Sequence, residues 1–181
     1  MVVRRFAKIS VSISAFCALV ACSGGEEPSE EKAYDAPTAL CGVEVDPELV
    51  ASLLPGGDSI DVNERKPGST RTRCQVDIDG ELALIVSQMW WEKPGDSIAA
   101  VARSVPELES AVLGDDASLL TSDTGALQRV ASCSSTEHPD QTLFTSIQVY
   151  GDGISDEEAV TKLVAAYSRA VEEPGDSGIC Q

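Results

Sequence analysis

The sequence predicts an α+β domain, an antiparallel sheet with helices packed mainly on one face and stapled by two disulfides. Three observations lead there. Apolar runs of strand length are punctuated by short turn signals, helical segments are announced by caps and prolines, and the two kinds of segment do not alternate as a parallel sheet requires.

Taken in order, Asp46-Pro47 places an N-cap before a proline at the first helical position, with Leu49, Val50, Leu53 and Leu54 behind it. Pro55-Gly56-Gly57 ends that helix. Residues 73–79 and 81–91 read as two strands around Asp79-Gly80, a favoured hairpin turn. Asp96 or Ser97 caps a second helix, in which Ile98, Val101, Ala102 and Val105 fall at i, i+3, i+4 and i+7 before Pro106. Residues 119–121 and 127–133 suggest a second hairpin across Asp123-Thr124-Gly125, and 143–150 a further strand. Ser155 and Glu158 form a capping-box pattern for the last helix. Val160, Leu163, Val164, Tyr167 and Val171 give it one apolar stripe, and Pro174-Gly175 stops it. A faint echo at an offset of about sixty residues aligns Gln88 with Gln148 and Trp90 with Tyr150; chance similarity between two strand–helix units accounts for it.

The chain has 181 residues, 43% of them apolar, so it carries enough apolar surface for one packed domain. Its 13 Lys+Arg against 30 Asp+Glu give a net charge of -17, which excludes a general nucleic-acid binder, since that work needs a basic surface. The charge is unevenly distributed. Arg4, Arg5 and Lys8 precede an uncharged apolar run to Ala21, the layout of a secretory signal, and Ser10, Ser12 and Ser14 interrupt a run already short for a membrane span. The run closes on Leu19-Val20-Ala21-Cys22 followed by Ser23-Gly24-Gly25, which resembles the lipobox of bacterial lipoproteins. That resemblance implies cleavage of residues 1–21, loss of Cys17 with them, and a diacylglyceryl group on Cys22 that holds the protein to the extracytoplasmic face of the cell membrane. Two acyl chains anchor stably where one does not.

Residues 22–38 form the acylated end and a Gly-, Ser-, Pro- and Glu-rich spacer with Glu26, Glu27, Glu30, Glu31 and Asp35, and residues 39–181 form the domain. Without the signal, 10 cations face 30 acids, a net charge near -20. An anionic bilayer repels such a protein, so lipid rather than surface charge supplies the anchor.

Four cysteines remain in the domain: Cys41, Cys74, Cys133 and Cys180. An even number in an exported chain points to disulfides. With no Cys-x-x-Cys and one histidine, His138, no metal site is expected. Three pairings are open to four cysteines. Cys41 with Cys74 and Cys133 with Cys180 is preferred, because each then joins a helix end or terminus to a nearby strand. The domain also resembles small cysteine-containing actinobacterial lipoproteins of unknown function: Cys41 stands just before a short helix ending in Leu53-Leu54, and Cys74 lies in the following strand.

The residues offer little for catalysis. His138 lies in Glu137-His138-Pro139-Asp140, a polar turn, without the Gly-x-Ser-x-Gly of a hydrolase elbow. Acidic groups around Gly80 and Asp152 lack the spacing of a calcium loop. Two features stand above this background. Arg65, Lys66, Arg71 and Arg73 gather four cations within nine residues, for internal charge balance or for recognition of an anion or partner. Trp90 and Trp91 are adjacent in a strand, so they face opposite ways, and one is available to a groove. The expectation is a monomeric envelope-anchored module without a cofactor, binding a small molecule or an envelope protein. The alternative is a carboxylate-dependent hydrolase of envelope material, which needs two facing acids, one of them buried.

Overall fold

A computed structural model describes residues 31–93, 95–108, 110–115, 117–173 and 178–180. The export signal, Cys22, the first part of the spacer and Pro174-Gly175 lie outside the described residues.

Two short strands open the fold, β1 (Ala39–Leu40) and β2 (Val43–Glu44), joined through Cys41 and Gly42 with φ of 51° and 73°. Helix α1 (Pro47–Ala51) follows; Asp46 caps it by accepting from the Glu48 backbone N–H. Then come β3 (Ile60–Arg65), β4 (Arg71–Ile78), β5 (Glu81–Glu92), α2 (Ile98–Ala102), β6 (Val112–Leu113), β7 (Leu119–Thr121), β8 (Gly125–Val130), β9 (Gln141–Val149) and α3 (Glu157–Glu172). Strands β3 to β9 make one antiparallel sheet in the order β3-β4-β5-β9-β8-β7-β6. The β4–β5 hairpin turns at Asp79 and Gly80, with φ of 52° and 84°, the double positive value a two-residue turn of this hand needs.

The sheet is covered on both faces, and side-chain parity assigns each residue to one of them. The front face carries Cys74, Val76, Leu84, Val86, Leu143 and Ile147, which pack with Val50, Leu53 and Leu54 of the α1 segment and with Val160, Leu163, Val164, Tyr167 and Val171 of α3. The back face carries Met89, Phe144, Leu127 and Leu120 beneath Ile98, Val101 and Val105 of the α2 segment. This is more divided than helices mainly on one face: α1 and α3 share the front, and α2 crosses the back. Burial from both sides explains why β5 and β9 read as near-continuous apolar runs rather than as alternating ones.

The parity also disposes of the sixty-residue echo as a structural repeat. Gln88 is on the front face, where its Nε2 donates to the Tyr167 hydroxyl at 2.7 Å. Gln148 is on the back, donating to Pro106 O at 3.1 Å and to the Tyr150 hydroxyl at 2.8 Å.

Other expectations shift in detail. Asp156, not Ser155, caps α3: its Oδ1 accepts from Ala159 N at 2.9 Å, and its extended backbone stands just before the first helical residue. Ser97 rather than Asp96 caps α2. Asp96 instead anchors the helix start to the sheet, accepting from Arg129 and Thr142 at 2.7 Å each. Residues 31–34, ahead of Ala39, are tied to the turn after α1. Lys32 bridges to Gly57, Ala33 N donates to Gly57 O, Gly57 N donates to Glu31 O, and the Tyr34 hydroxyl donates to Pro55 O. Tyr34 supplies the partly buried ring that the acidic composition of this stretch conceals.

Both disulfides take the preferred pairing, with Cα–Cα distances of 5.4 Å for Cys41–Cys74 and 5.0 Å for Cys133–Cys180. The first staples the β1–β2 turn to β4. The second ties the chain after α3 to the loop between β8 and β9.

Candidate functional site

That second disulfide stands at one end of the sheet, where three segments converge around the β5 terminus: residues 66–70, residues 131–140 and residues 178–179. Trp90 N donates to Thr70 O at 2.8 Å, drawing the first loop onto β5, and Lys93 N donates to Asp140 O at 3.3 Å, drawing in the second. Ser135 shapes the second loop, its hydroxyl accepting from Glu137 N and its carbonyl from His138 N.

The result is a cleft of about 370 Å³ whose wall includes Lys66, Arg71, Gln88, Trp90 and His138, with Gly178 and Ile179 closing one side. A broader depression of about 750 Å³ continues past His138 over Glu92, Lys93 and Asp140. His138 is the hinge of the two. Its ring stacks on Trp90, with centroids 4.6 Å apart and planes inclined by 20°. Its Nδ1 lies 2.6 Å from Gln141 Oε1, an amide oxygen that can only accept, and in the tautomer that contact selects Nδ1 donates and Nε2 faces solvent or a ligand. The turn histidine is thus half-buried and oriented, which sequence reasoning missed because Trp90 is 48 positions away along the chain.

The floor is rigid. Gln88 is held by Tyr167, whose hydroxyl donates in turn to Leu40 O at 3.3 Å, and burial pushes the Tyr167 phenol far above its ordinary range. The two tryptophans divide as their adjacency requires: Trp90 packs with the front-face core and borders the cleft, while Trp91 packs against the back-face core.

The four clustered cations separate as well. Lys66 borders the cleft and makes an exposed pair with Glu64 at 3.3 Å. Arg71 contributes to the same wall, but its guanidinium turns to the back face and donates to Met89 Sδ at 3.0 Å. Arg65 and Arg73 are register partners on the back face. Lys66–Glu64, Arg129–Asp96 and Lys162–Glu158 are the ion pairs among the described residues, and none uses Arg65, Arg71 or Arg73.

The acidic groups around Gly80 have a structural task. Asp79 accepts from the backbone N–H of Asp58 and Ser59 and from the Ser59 hydroxyl, and those bonds, the Asp58 one foremost, hold its carboxyl below its ordinary value. Among the described residues no group of three His, Cys, Asp or Glu is placed to hold a metal ion, and no helix is long and apolar enough to cross a membrane.

Fold and site define a disulfide-stapled α+β domain with an aromatic- and cation-edged cleft at one end of a seven-stranded antiparallel sheet. No protein-family model, no curated protein and no solved structure matches the chain.

Proposed function

We propose that the protein is an envelope-anchored lipoprotein whose domain acts as a ligand-binding module, with the cleft beside Trp90 and His138 as the binding surface. One observation carries the reading: Lys66 and Arg71, at the two ends of the β3–β4 loop, meet Trp90 of β5 in the wall of one cleft, all three singled out by residue type alone. A stacked Trp–His pair with one imidazole nitrogen available gives a ligand a flat apolar contact and a polar one side by side. The disulfide between Cys133 and Cys180 keeps two of the walls in place without a ligand, and preorganisation of this kind reduces the ordering cost of binding. Two-carboxylate hydrolysis is less well served, because Glu92, Glu137 and Asp140, the acids along the cleft, are all exposed, and such chemistry needs one acid shielded enough to stay protonated.

The anchor and the cleft are tested separately. Cells expressing the wild type should incorporate an alkyne-tagged palmitate into the protein and retain it in the membrane fraction, while Cys22→Ser should lose both. A Ser variant processed and retained like the wild type would overturn the anchor. In a Trp91→Phe background, Trp90 emission should be quenched by acrylamide, a neutral probe small enough for the cleft. Emission indifferent to acrylamide would mean that the cleft is closed.

A further inference from the structure

The back face of the sheet carries an arrangement that the cleft touches only through Arg71. Strands β3 and β4 place residues of like chemistry directly opposite one another: cationic Arg65 faces Arg73, the amides Asn63 and Gln75 face each other, and acidic Asp61 faces Asp77. Like charges in directly opposed positions destabilise a sheet, and Cβ atoms at such positions are only about 5 Å apart. Arg71 stands two residues before Arg73 on the same face of β4, about 7 Å along the strand. Three guanidinium groups thus occupy one end of the back face. The acids that share this face, Asp61 and Asp77, stand toward its other end, and Asp77 is engaged by Gln75 Nε2 at 2.7 Å.

In a chain with 30 Asp and Glu, these arginines have no carboxylate partner among the described residues. Arg71 has the sulfur of Met89, a weak acceptor, and Arg73 Nε is buried with no partner among the described residues. A second unpartnered buried atom, Ser146 Oγ, belongs to the same cross-strand row, which runs Arg65, Arg73, Ser87, Ser146 through β3, β4, β5 and β9. Burial and the neighbouring Arg73 both work against the charge on Arg71. An anion seated among the three would relieve the mutual repulsion and satisfy the buried donor together.

We infer that this end of the back face binds a small oxyanion, a phosphate or carboxylate group, held by Arg65, Arg71 and Arg73. Planar guanidinium forks match both groups in bidentate fashion, and three forks on one end of a face favour a group of more than one negative charge. Arg65 is exposed and Arg71 and Arg73 are half-buried, so the seat is open to solvent on the β3 side. It lies on the opposite face of the sheet from the cleft and shares one residue with it: Arg71 borders the cleft, while its guanidinium turns to the back face.

The test uses the full-length protein in detergent with pyrophosphate, inorganic phosphate and acetate as probes, each matched in ionic strength by sodium chloride. Pyrophosphate should raise the melting temperature in a concentration-dependent way, phosphate less, and acetate least. Arg73→Gln should abolish the response, whereas Arg103→Gln, an arginine on α2's exposed side that donates to Ala99 O, should leave it intact. A pyrophosphate response no larger than the salt control, or one retained in Arg73→Gln, would overturn the proposal. Should Arg73→Gln fail to fold, phenylglyoxal labelling of the wild type decides: pyrophosphate should shield Arg71 and Arg73 from modification at least several-fold while Arg103 reacts unchanged, and equal labelling with and without pyrophosphate would refute the site.

Discussion

Replacing Cys133 and Cys180 by alanine removes a crosslink that closes a loop of 47 residues. In the chain-entropy account, freeing a loop of that length returns about 13.6 cal/mol/K to the unfolded ensemble, or about 4 kcal/mol at 25 °C. For a domain of this size each kcal/mol shifts the melting temperature by roughly 2–4 °C, so a loss of roughly 8–16 °C is expected. The same arithmetic for Cys41 and Cys74, 33 residues apart, gives about 3.7 kcal/mol, so the two double variants should be about equally destabilised. They should differ at the cleft. Cys180 holds Gly178 and Ile179 against it, and Cys133 begins the segment that leads to His138, whereas Cys41–Cys74 joins the β1–β2 turn to the middle of β4. In a Trp91→Phe background, loss of Cys133–Cys180 should raise acrylamide quenching of Trp90 under native conditions, and loss of Cys41–Cys74 should not. Urea unfolding followed by circular dichroism supplies the stability. A loss below about 1 kcal/mol for Cys133/Cys180 would refute the loop-closure reasoning. Identical quenching in the two variants would refute the assignment of this bond to the cleft.

Two further perturbations address the floor and the turn. Tyr167→Phe strips the hydroxyl that accepts from Gln88 and donates to Leu40 O, leaving Gln88 Nε2 a buried donor without that acceptor. The expected cost is about 1–3 kcal/mol by urea unfolding, and a cost near zero would show that the hydroxyl does not satisfy Gln88. Asp79 has its folded-state carboxyl held below its ordinary value by the Asp58 and Ser59 hydrogen bonds, so what it contributes is present in full above the ordinary value and fades as pH falls through the lower folded one. The stability gap between wild type and Asp79→Ala should therefore be constant above about pH 5 and shrink toward pH 2. A gap independent of pH would contradict the hydrogen-bonded carboxylate.

Much of the architecture was legible along the chain. The Asp46-Pro47 cap, the Asp79-Gly80 turn and the apolar stripe of α3 are local signals, and each stands within a residue or two of its expected place. Strand β3 was not legible. Only Ile60 and Val62 are apolar in it, and five of its six residues are exposed, because an edge strand with one partner and little cover needs no apolar alternation. Strand β6, two residues long and also exposed, escaped for the same reason. The candidate binding residues were legible as types and not as a site. Missing β3 concealed that Arg65 pairs with Arg73, and the parity that turns Arg71 to the back face depends on the β4–β5 register.

By itself the sequence determined what local chemistry can specify: an acidic stretch with four cysteines following a cationic, apolar N-terminal segment, two tryptophans sent to opposite faces, and the caps and turns that delimit most elements. Tertiary structure alone decided which face each helix covers, that His138 stacks on Trp90, and that three arginines share one surface with no carboxylate ion-pair partner among the described residues. The physical reason is the range of the forces involved. Capping and turn preferences act within a few residues, whereas strand order and register are set by which apolar faces can be buried together across the whole chain.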